Sequence, residues 1–248
     1  MRAKLIVGNW KMNGSHAALA ELDGIAFAAD AAPQVDVAIC PPATLIAAAA
    51  TRAPFLTIGA QDCHEATSGA HTGCLSAGLL IEAGARAVIL GHSERRRDQQ
   101  ETSTLVKAKA TAAMAAGLTA IVCVGETEVQ RDAGAAIAVV RAKLDGSVPP
   151  TATAASLVIG YEPLWAIGTG RIPTLAEVAE VHAAIRARLI LLLGAEGARV
   201  RILYGGSMNA GNAADLLAIP DVDGGLVGGA SLTAAQFAPI IAAAAAVG

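Results

Sequence analysis

The chain has 248 residues, which suits a single (β/α)8 barrel and is long for one small domain. With 54% hydrophobic and only 16% charged residues it can bury a large core, so intrinsic disorder is excluded. A net charge of −3 gives no reason to expect nucleic acid as a partner, and Arg95-Arg96-Arg97 is too short a basic run to change that.

The two ends of the sequence and its cysteines bear on where the protein works. Residues 1–10 lack the apolar core and cleavage site of a signal peptide. Residues 224–248 carry no charge, but glycine pairs and Pro239 interrupt them, so we interpret them as strand, loop and helix and expect no membrane span. The cysteines lack the close pairing of a zinc or redox motif: Cys40, Cys63, Cys74 and Cys123. We therefore expect reduced thiols, no metal and a cytoplasmic location.

Short apolar runs alternate with longer, alanine-rich segments along the whole chain. The runs are residues 5–7, 35–39, 55–58, 87–90, 120–124, 157–161, 200–204 and 226–227. The segments between them have helical signals, including three pairs with capping-box spacing: Thr127 with Gln130, Thr174 with Glu177, and Thr233 with Gln236. The pattern predicts eight strands that alternate with helices.

This alternation predicts an α/β fold with a parallel sheet, because each parallel connection needs a crossover helix. Eight such units favour a single (β/α)8 barrel with a parallel eight-stranded core over an open doubly wound sheet. The open sheet stays possible, but no Gly-x-Gly-x-x-Gly turn follows the first run, so an NAD-binding site has no anchor. No long linker divides the chain, and we expect one domain over residues 1–248.

In a barrel of this kind the reacting groups gather where the strands end. Those positions hold Asn9, Lys11, Cys40, Gln61, His92, Cys123, Glu126, Glu162, Gly205, Gly206, Ser207, Gly228 and Gly229. Taken singly, Lys11 has the alternative of a solvated loop charge and His92 that of a core histidine. The glycine pairs have the alternative of tight turns. Their occurrence together at strand ends favours a site.

The stretch after the sixth run is the most informative. Glu162 ends that run and Pro163 stops the strand, after which a loop with Gly168 and Gly170 leads to a helix signal near Pro173. An acid beneath such a loop suits proton transfer under a lid, although a glutamate that merely faces water is the alternative.

The other strand ends supply chemistry that matches this acid. A helix that begins at His92 would favour a neutral imidazole, and the glycine pairs would offer backbone amides to phosphate. Clustered metal ligands are missing from the strand ends, and so is a barrel-mouth lysine for Schiff-base chemistry. The inventory predicts proton transfer without a cofactor, next to the carbonyl of a small phosphorylated sugar.

Six segments resemble the triosephosphate isomerase family and follow its order along the chain. They are residues 9–14, 91–96, 123–126, 161–170, 204–207 and 226–231. The resemblance implies a TIM barrel that interconverts dihydroxyacetone phosphate and D-glyceraldehyde 3-phosphate through an enediolate, as in glycolysis. Two alternatives remain at this point, an isomerase of a four-carbon ketose phosphate and a non-catalytic phosphate-binding barrel.

The resemblance also assigns roles to individual residues. Glu162 would be the base, His92 the neutral electrophile, and Asn9 with Lys11 would support the enediolate. This enzyme is itself the known example of a glutamate base beside a neutral histidine, so these roles come from the resemblance alone. Supporting residues would be Glu94, Cys123 and Glu126. Phosphate would meet Asn9, Lys11, Gly168, Ser207, Gly228 and Gly229. The lid would comprise Pro163, Leu164, Trp165, Ala166, Ile167, Gly168, Thr169 and Gly170.

The family is typically a homodimer, in which the loop after the third strand enters the partner's site. Here that loop spans residues 62–76, and the resemblance makes Thr72, Cys74 and Arg95 the dimer contacts. Asp62 stands where asparagine is usual, and Cys74 stands where relatives have a glutamate that pairs with an arginine of the neighbouring subunit. This change would leave Arg95 to pair with Glu101 in its own chain, so we expect a weakened dimer.

Overall fold

The computed structural model describes residues 2–166 and 171–247. Its parallel strands form one closed barrel in the order β1 to β8, which confirms the predicted fold class. The strands are β1 Lys4–Asn9, β2 Val35–Cys40, β3 Thr57–Ala60, β4 Ala87–Leu90, β5 Thr119–Val124, β6 Leu157–Tyr161, β7 Arg201–Tyr204 and β8 Gly224–Val227. Closure comes from the pairing of β1 with β8, with Leu5 opposite Gly224 and Gly8 opposite Val227.

Helices cover the outside of the barrel. They are α1 Glu21–Asp30, α2 Ile46–Arg52, α3 Ala77–Glu82, α4 Ser93–Asp98, α5 Ser103–Ala116, α6 Glu128–Asp132, α7 Ala136–Ser147, α8 Leu175–Leu193, α9 Ala213–Leu217 and α10 Ala234–Ala246. Five of those described, α3, α4, α5, α6 and α8, begin at a residue whose side chain caps them. Among these described helices, none is long and apolar enough to cross a membrane.

The predicted capping boxes have different outcomes. Those of Thr127 and Thr174 form and start α6 and α8, which confirms both predictions. The third prediction is wrong, because the Thr233 side chain makes no capping bond. The amide of Ala234 donates to Glu21 Oε2 at 2.7 Å, so an acid on α1 satisfies one of the free amides at the start of α10.

The strand bounds differ from the apolar runs mainly at β3. The sequence predicts a strand from Phe55, but β3 begins at Thr57 and the Phe55 side chain is 98% exposed. A hydrophobic side chain at this position could be the first residue of the strand or an exposed residue of the preceding loop, so hydropathy alone cannot fix where β3 begins.

The core has two layers because successive strand residues face opposite sides of the sheet. Ile6 packs between sheet and helices, while Leu5 and Val7 point into the barrel. Small residues let the strands close tightly, since a Cβ on Gly59 would lie 2.6 Å from Cys40 Sγ. This filled interior holds the carboxyl ends of the strands in a fixed ring, where the candidate site lies.

Candidate active site

A cavity of about 230 Å³ opens among the carboxyl ends of the strands. It is lined by Asn9, Lys11, His92, Glu162, Gly205, Gly206, Ser207, Met208, Leu226, Gly228, Gly229 and Ala230. The structure therefore brings the residues proposed for catalysis together with those proposed for phosphate, apart from Gly168, which lies outside the described residues.

Glu162 lies at the end of β6 with its side chain only 2% exposed. Its carboxylate accepts hydrogen bonds from the Ser93 amide at 2.9 Å and the Ser93 hydroxyl at 2.8 Å. His92 Nε2 lies 3.0 Å from Glu162 Oε1. Burial alone would raise the pKa of Glu162, but the contacts with His92 and Ser93 outweigh it and lower the pKa below its ordinary value. The carboxylate is thus ionised at neutral pH and can act as a base.

His92 caps the amino end of α4, where its Nδ1 accepts a hydrogen bond from the Glu94 amide at 3.3 Å. An accepting Nδ1 carries no proton, so the hydrogen of the neutral ring is on Nε2. The sharp turn before His92 requires Gly91, which has φ +63 and no room for a Cβ beside Val106. His92 is therefore arranged as a neutral N–H donor that faces the cavity.

Lys11 is held in an unusual backbone conformation, with φ +52. Two amide side chains stabilise it: Asn9 Oδ1 accepts from the Lys11 amide at 3.0 Å, and Gln61 Nε2 donates to the Lys11 carbonyl at 2.8 Å. The Lys11 ammonium pairs with Glu94 Oε1 at 2.7 Å. A left-handed backbone conformation costs free energy for a residue with a side chain. These contacts hold Lys11 in that conformation, so its ammonium group is fixed at the edge of the cavity.

Glycines line the cavity at the ends of β7 and β8, and at β7 other groups approach them too closely for a side chain. A Cβ on Gly205 would lie 3.1 Å from Glu162 Cγ, and one on Gly206 would lie 2.2 Å from the Tyr204 hydroxyl oxygen. Gly229 opens a 3-10 turn, Gly229–Ser231, and a Cβ there would meet open space. The first amides of such a turn have no acceptor within it and are suited to an anion in the cavity.

Glu126 lies behind the cavity and ties the start of the predicted lid to β5. Its buried Oε1 accepts from the Tyr161 hydroxyl at 3.0 Å and from Trp165 Nε1–H at 2.8 Å. The described part of the lid contains the 3-10 turn Leu164–Ala166, and Ser207 donates to the Ala166 carbonyl at 3.3 Å. The lid positions Ile167, Gly168, Thr169 and Gly170 lie outside the described residues.

Cys123, another of the three supporting residues proposed from the sequence, lies inside the barrel and is fully buried. Burial, together with the nearby Glu162 charge, raises the pKa of its thiol well above the ordinary value. A thiol held protonated in this way is a poor nucleophile. Cys123 is therefore a packing residue beside Glu162.

The predicted dimer contacts fall into an exposed loop and a partly buried charge cluster. Thr72 and Cys74 are exposed. Arg95 Nε pairs with Glu101 at 2.8 Å, which confirms the partner expected within the chain. Arg95 also pairs with Asp62 at 2.9 Å, a contact that the sequence did not predict. Lys109 joins both carboxylates, at 2.9 Å from Asp62 and 2.5 Å from Glu101.

Sequence reasoning missed several groups that shape this site. Ser93 makes two hydrogen bonds to Glu162, and its only signal was a hydroxyl directly after His92 in the sequence. Gln61 was noted at a strand end without a role, yet it holds the main chain of Lys11 and of Cys40. Within the described ranges, no group of three or more His, Cys, Asp or Glu side chains could hold a metal ion.

Comparison with known proteins identifies the family. The family model described as Triosephosphate isomerase matches residues 4–244. A triosephosphate isomerase of Ruegeria sp. (strain TM1040) is 57% identical over 246 residues, which cover 99% of this chain and 100% of that protein. One of Xanthobacter flavus is 60% identical, with 96% of each chain covered. The crystal structure of triosephosphate isomerase from Bartonella henselae superposes with a TM-score of 0.91 at 44% identity, over 97% of this chain and 98% of that one. The chain belongs to the triosephosphate isomerase family.

Proposed function

We propose that Glu162 is the base by which this isomerase moves a proton between neighbouring carbons of a phosphorylated triose. The observation that carries the proposal is that an ionised carboxylate and the N–H of a neutral imidazole, 3.0 Å apart, face one small cavity. An acid–base pair of this kind is what aldose–ketose isomerisation needs.

The reaction follows from the charges in the cavity. Glu162 takes the proton from the carbon beside the carbonyl, and the electron pair moves onto the carbonyl oxygen to give an enediolate. The His92 Nε2–H and the Lys11 ammonium stabilise this negative charge, with Asn9 holding the Lys11 main chain. His92 passes protons between the two oxygens, and Glu162 returns its proton to the neighbouring carbon.

The phosphate of the substrate would lie against the glycine-lined side of the cavity. We propose that the amides of Gly168, Ser207, Gly228 and Gly229 bind it, with Lys11 supplying charge. The Cβ that Gly228 lacks would lie 3.6 Å from Lys11 Cε, so the lysine chain passes close to this turn. Closure of the lid, Pro163 to Gly170, would exclude water and prevent the enediolate from expelling its phosphate.

Substitution Glu162→Asp tests the assignment. Shortening the side chain withdraws the carboxylate by about 1 Å or more, and a displacement of this size can cost roughly 10²-fold in kcat. The KM should change little, because phosphate and carbonyl contacts remain. Glu180→Asp, on the exposed face of α8, is the matched control. Near-wild-type turnover of Glu162→Asp would refute the role of Glu162 as the base. A higher kcat/KM of the wild-type enzyme for a four-carbon ketose phosphate than for the triose phosphate would identify the four-carbon sugar as the substrate.

We also infer that two copies of this chain form a homodimer. Met12 is 96% exposed directly after Lys11 and lines a second cavity of about 280 Å³ with Asn9, His92 and Arg95. The loop of residues 62–76, whose middle carries the exposed Thr72, is of a size to cover this apolar side chain in a second copy. Light scattering on serial dilution tests the assembly. We expect dissociation with retained secondary structure because Cys74 is uncharged, and a dimer that persists at nanomolar concentration would contradict the weakened interface.

We further propose that the whole chain is one folding unit in the cytoplasm. The barrel uses strands from Lys4 to Val227 and closes only when β8 meets β1, which favours a single cooperative unfolding transition. Cys40, Cys63 and Cys123 are buried free thiols, which suits a reducing compartment. Cell fractionation and calorimetry test the two statements.

A further inference from the structure

The end of β5 is the main-chain support of Glu162. The Glu162 amide donates to the Val124 carbonyl at 2.8 Å, and the Leu164 amide donates to the Glu126 carbonyl at 3.1 Å. Between these carbonyls lies Gly125, where a Cβ would fall 1.7 Å from the Glu162 carbonyl oxygen. The main chain of residues 123–126 thus contacts the main chain of the proposed base without an intervening side chain, and a shift of one would shift the other.

The two remaining carbonyls of this segment are held by cations from outside the barrel. Lys143, on α7, donates from Nζ to the Gly125 carbonyl at 2.5 Å. Arg96, on α4, donates from Nη2 to the Cys123 carbonyl at 3.0 Å. The four consecutive carbonyls of residues 123–126 therefore each have a donor, alternating between an external cation and the chain that carries Glu162.

Arg96 links this support to the histidine as well. Its Nε donates to the Gly91 carbonyl at 2.8 Å, directly before His92. Its other nitrogens donate to the hydroxyls of Ser103 at 3.3 Å and Ser147 at 3.0 Å. One guanidinium group thereby joins the ends of β4 and β5 to the helices behind them.

We propose that Lys143, assisted by Arg96, is a positioning residue that sets the place of the Glu162 carboxylate by anchoring the end of β5. Both cations donate these hydrogen bonds to neutral main-chain carbonyl oxygens and hydroxyl groups. Burial, with the nearby Arg96 charge, lowers the pKa of Lys143, so the ammonium is kept here at a cost. Ordinary packing would not require a charged group at this position, since an apolar side chain could fill it.

The chain offers a matched control for this lysine. Lys107, on α5, donates from Nζ to the Asp145 carbonyl at 2.7 Å, the same type of bond to the same helix, α7, that carries Lys143. Lys107 lines none of the cavities around Glu162, whereas Lys143 lines a cavity of about 650 Å³ that reaches Ser93 and Glu162. The two lysines make the same type of bond, but only the carbonyl that Lys143 binds lies next to the main chain of Glu162.

The experiment compares Lys143→Met, Lys143→Arg and Lys107→Met in the full-length isomerase. We expect Lys143→Met to lower kcat about 10-fold with KM within about twofold, since a sub-ångström displacement of a catalytic group costs less than the roughly 10² expected for 1 Å. Lys143→Arg, which keeps a cationic donor, should recover most of that loss. The affinity of Lys143→Met for a phosphorylated two-carbon carboxylate that mimics the enediolate should fall by a factor similar to that in kcat/KM. Its affinity for inorganic phosphate should not change.

Several results would overturn the inference. A Lys143→Met kcat within twofold of wild type would do so, as would an equal loss in Lys107→Met, or a parallel loss of affinity for inorganic phosphate. If Lys143→Met does not fold, Lys143→Gln, whose side chain is too short to span the same distance, is judged by the same criteria. The inference rests on the proposed role of Glu162, which Glu162→Asp tests separately. A damaged Glu162→Asp beside a normal Lys143→Met refutes the positioning role alone.

Discussion

Removing the Ser93 hydroxyl should move the pH at which Glu162 loses its charge. That hydroxyl donates to Glu162 Oε1 at 2.8 Å, while the Ser93 amide donates to Oε2 at 2.9 Å. Ser93→Ala deletes the first bond and leaves the second, together with the contact to His92. Because these bonds favour the ionised form, the pKa of Glu162 must rise in the variant.

The size of the shift follows from the strength of one hydrogen bond to a charged group. Such a bond contributes about 1.5–3 kcal/mol, and 1.36 kcal/mol corresponds to one pKa unit. We therefore expect the pKa of Glu162 to rise in Ser93→Ala, and kcat/KM on the acid side of the profile to fall roughly 10- to 100-fold relative to the wild type. The sign is set by the base, which works only when ionised. Activity should be lost at a higher pH than in the wild type as the solution is acidified, and change little at neutral pH.

The assay is kcat/KM against pH for both enzymes, because this parameter reports the free enzyme. The substrate phosphate also titrates, with a second pKa near about 6, but it does so identically for both enzymes and cancels in their ratio. Ser156→Ala, at the opposite end of the strand that carries Glu162, is the control for loss of a serine hydroxyl. If the kcat/KM of Ser93→Ala divided by that of the wild type stays constant as the pH is lowered through the acidic range, the account of the Glu162 pKa is refuted.

Three further predictions concern stability. Burial lowers the pKa of His182 to about 4, so as pH falls from about 6.5 towards 4 the unfolded chain binds a proton that the folded chain does not. The free energy of unfolding should therefore decline by ~3 kcal/mol across that window. Chemical denaturation of His182→Leu should show no such decline with pH. Thr174→Ala should cost about 1 kcal/mol and lower Tm by roughly 2–4 °C, whereas Thr233→Ala, which removes no capping bond, should leave Tm unchanged by calorimetry. Asp62→Asn should change stability by no more than about 1 kcal/mol, because burial already raises the pKa of Asp62 and because Arg95 and Lys109 both keep Glu101 as a partner. Adding Cys74→Glu should raise Tm only at concentrations where dimers form, and an equal rise in the monomer would contradict this.

The sequence predicted the barrel well because its signals are local and repeated. Each strand appears as a short apolar run, and the alternation with helices needs no knowledge of contacts between distant residues. One error, the capping box at Thr233, fell where a residue distant in the chain meets the start of a helix. Glu21 of α1 supplies the acceptor for Ala234, and no property of the segment around Thr233 reveals a residue so distant in the chain.

The site could be predicted at the level of residue types and not of contacts. Strand-end positions bring Lys11, His92 and Glu162 into one ring once a parallel barrel is assumed. The bonds that tune these groups come from residues without a distinctive local pattern. Ser93 is one of many serines, and Lys143 lies on an outer helix, so only the folded structure reveals their link to Glu162.

The charge cluster around Arg95 is satisfied within one chain. Cys74 stands where the family resemblance leads one to expect the glutamate that neutralises an arginine across the interface. Here Asp62, 2.9 Å from Arg95, supplies a carboxylate from the same chain. With Glu101 and Lys109 the cluster holds two carboxylates and two cations, so it is neutral within one subunit. A subunit that satisfies its own charges has less electrostatic need of a neighbour, so in the homodimer proposed above the free energy of association must come from apolar contacts such as the exposed Met12.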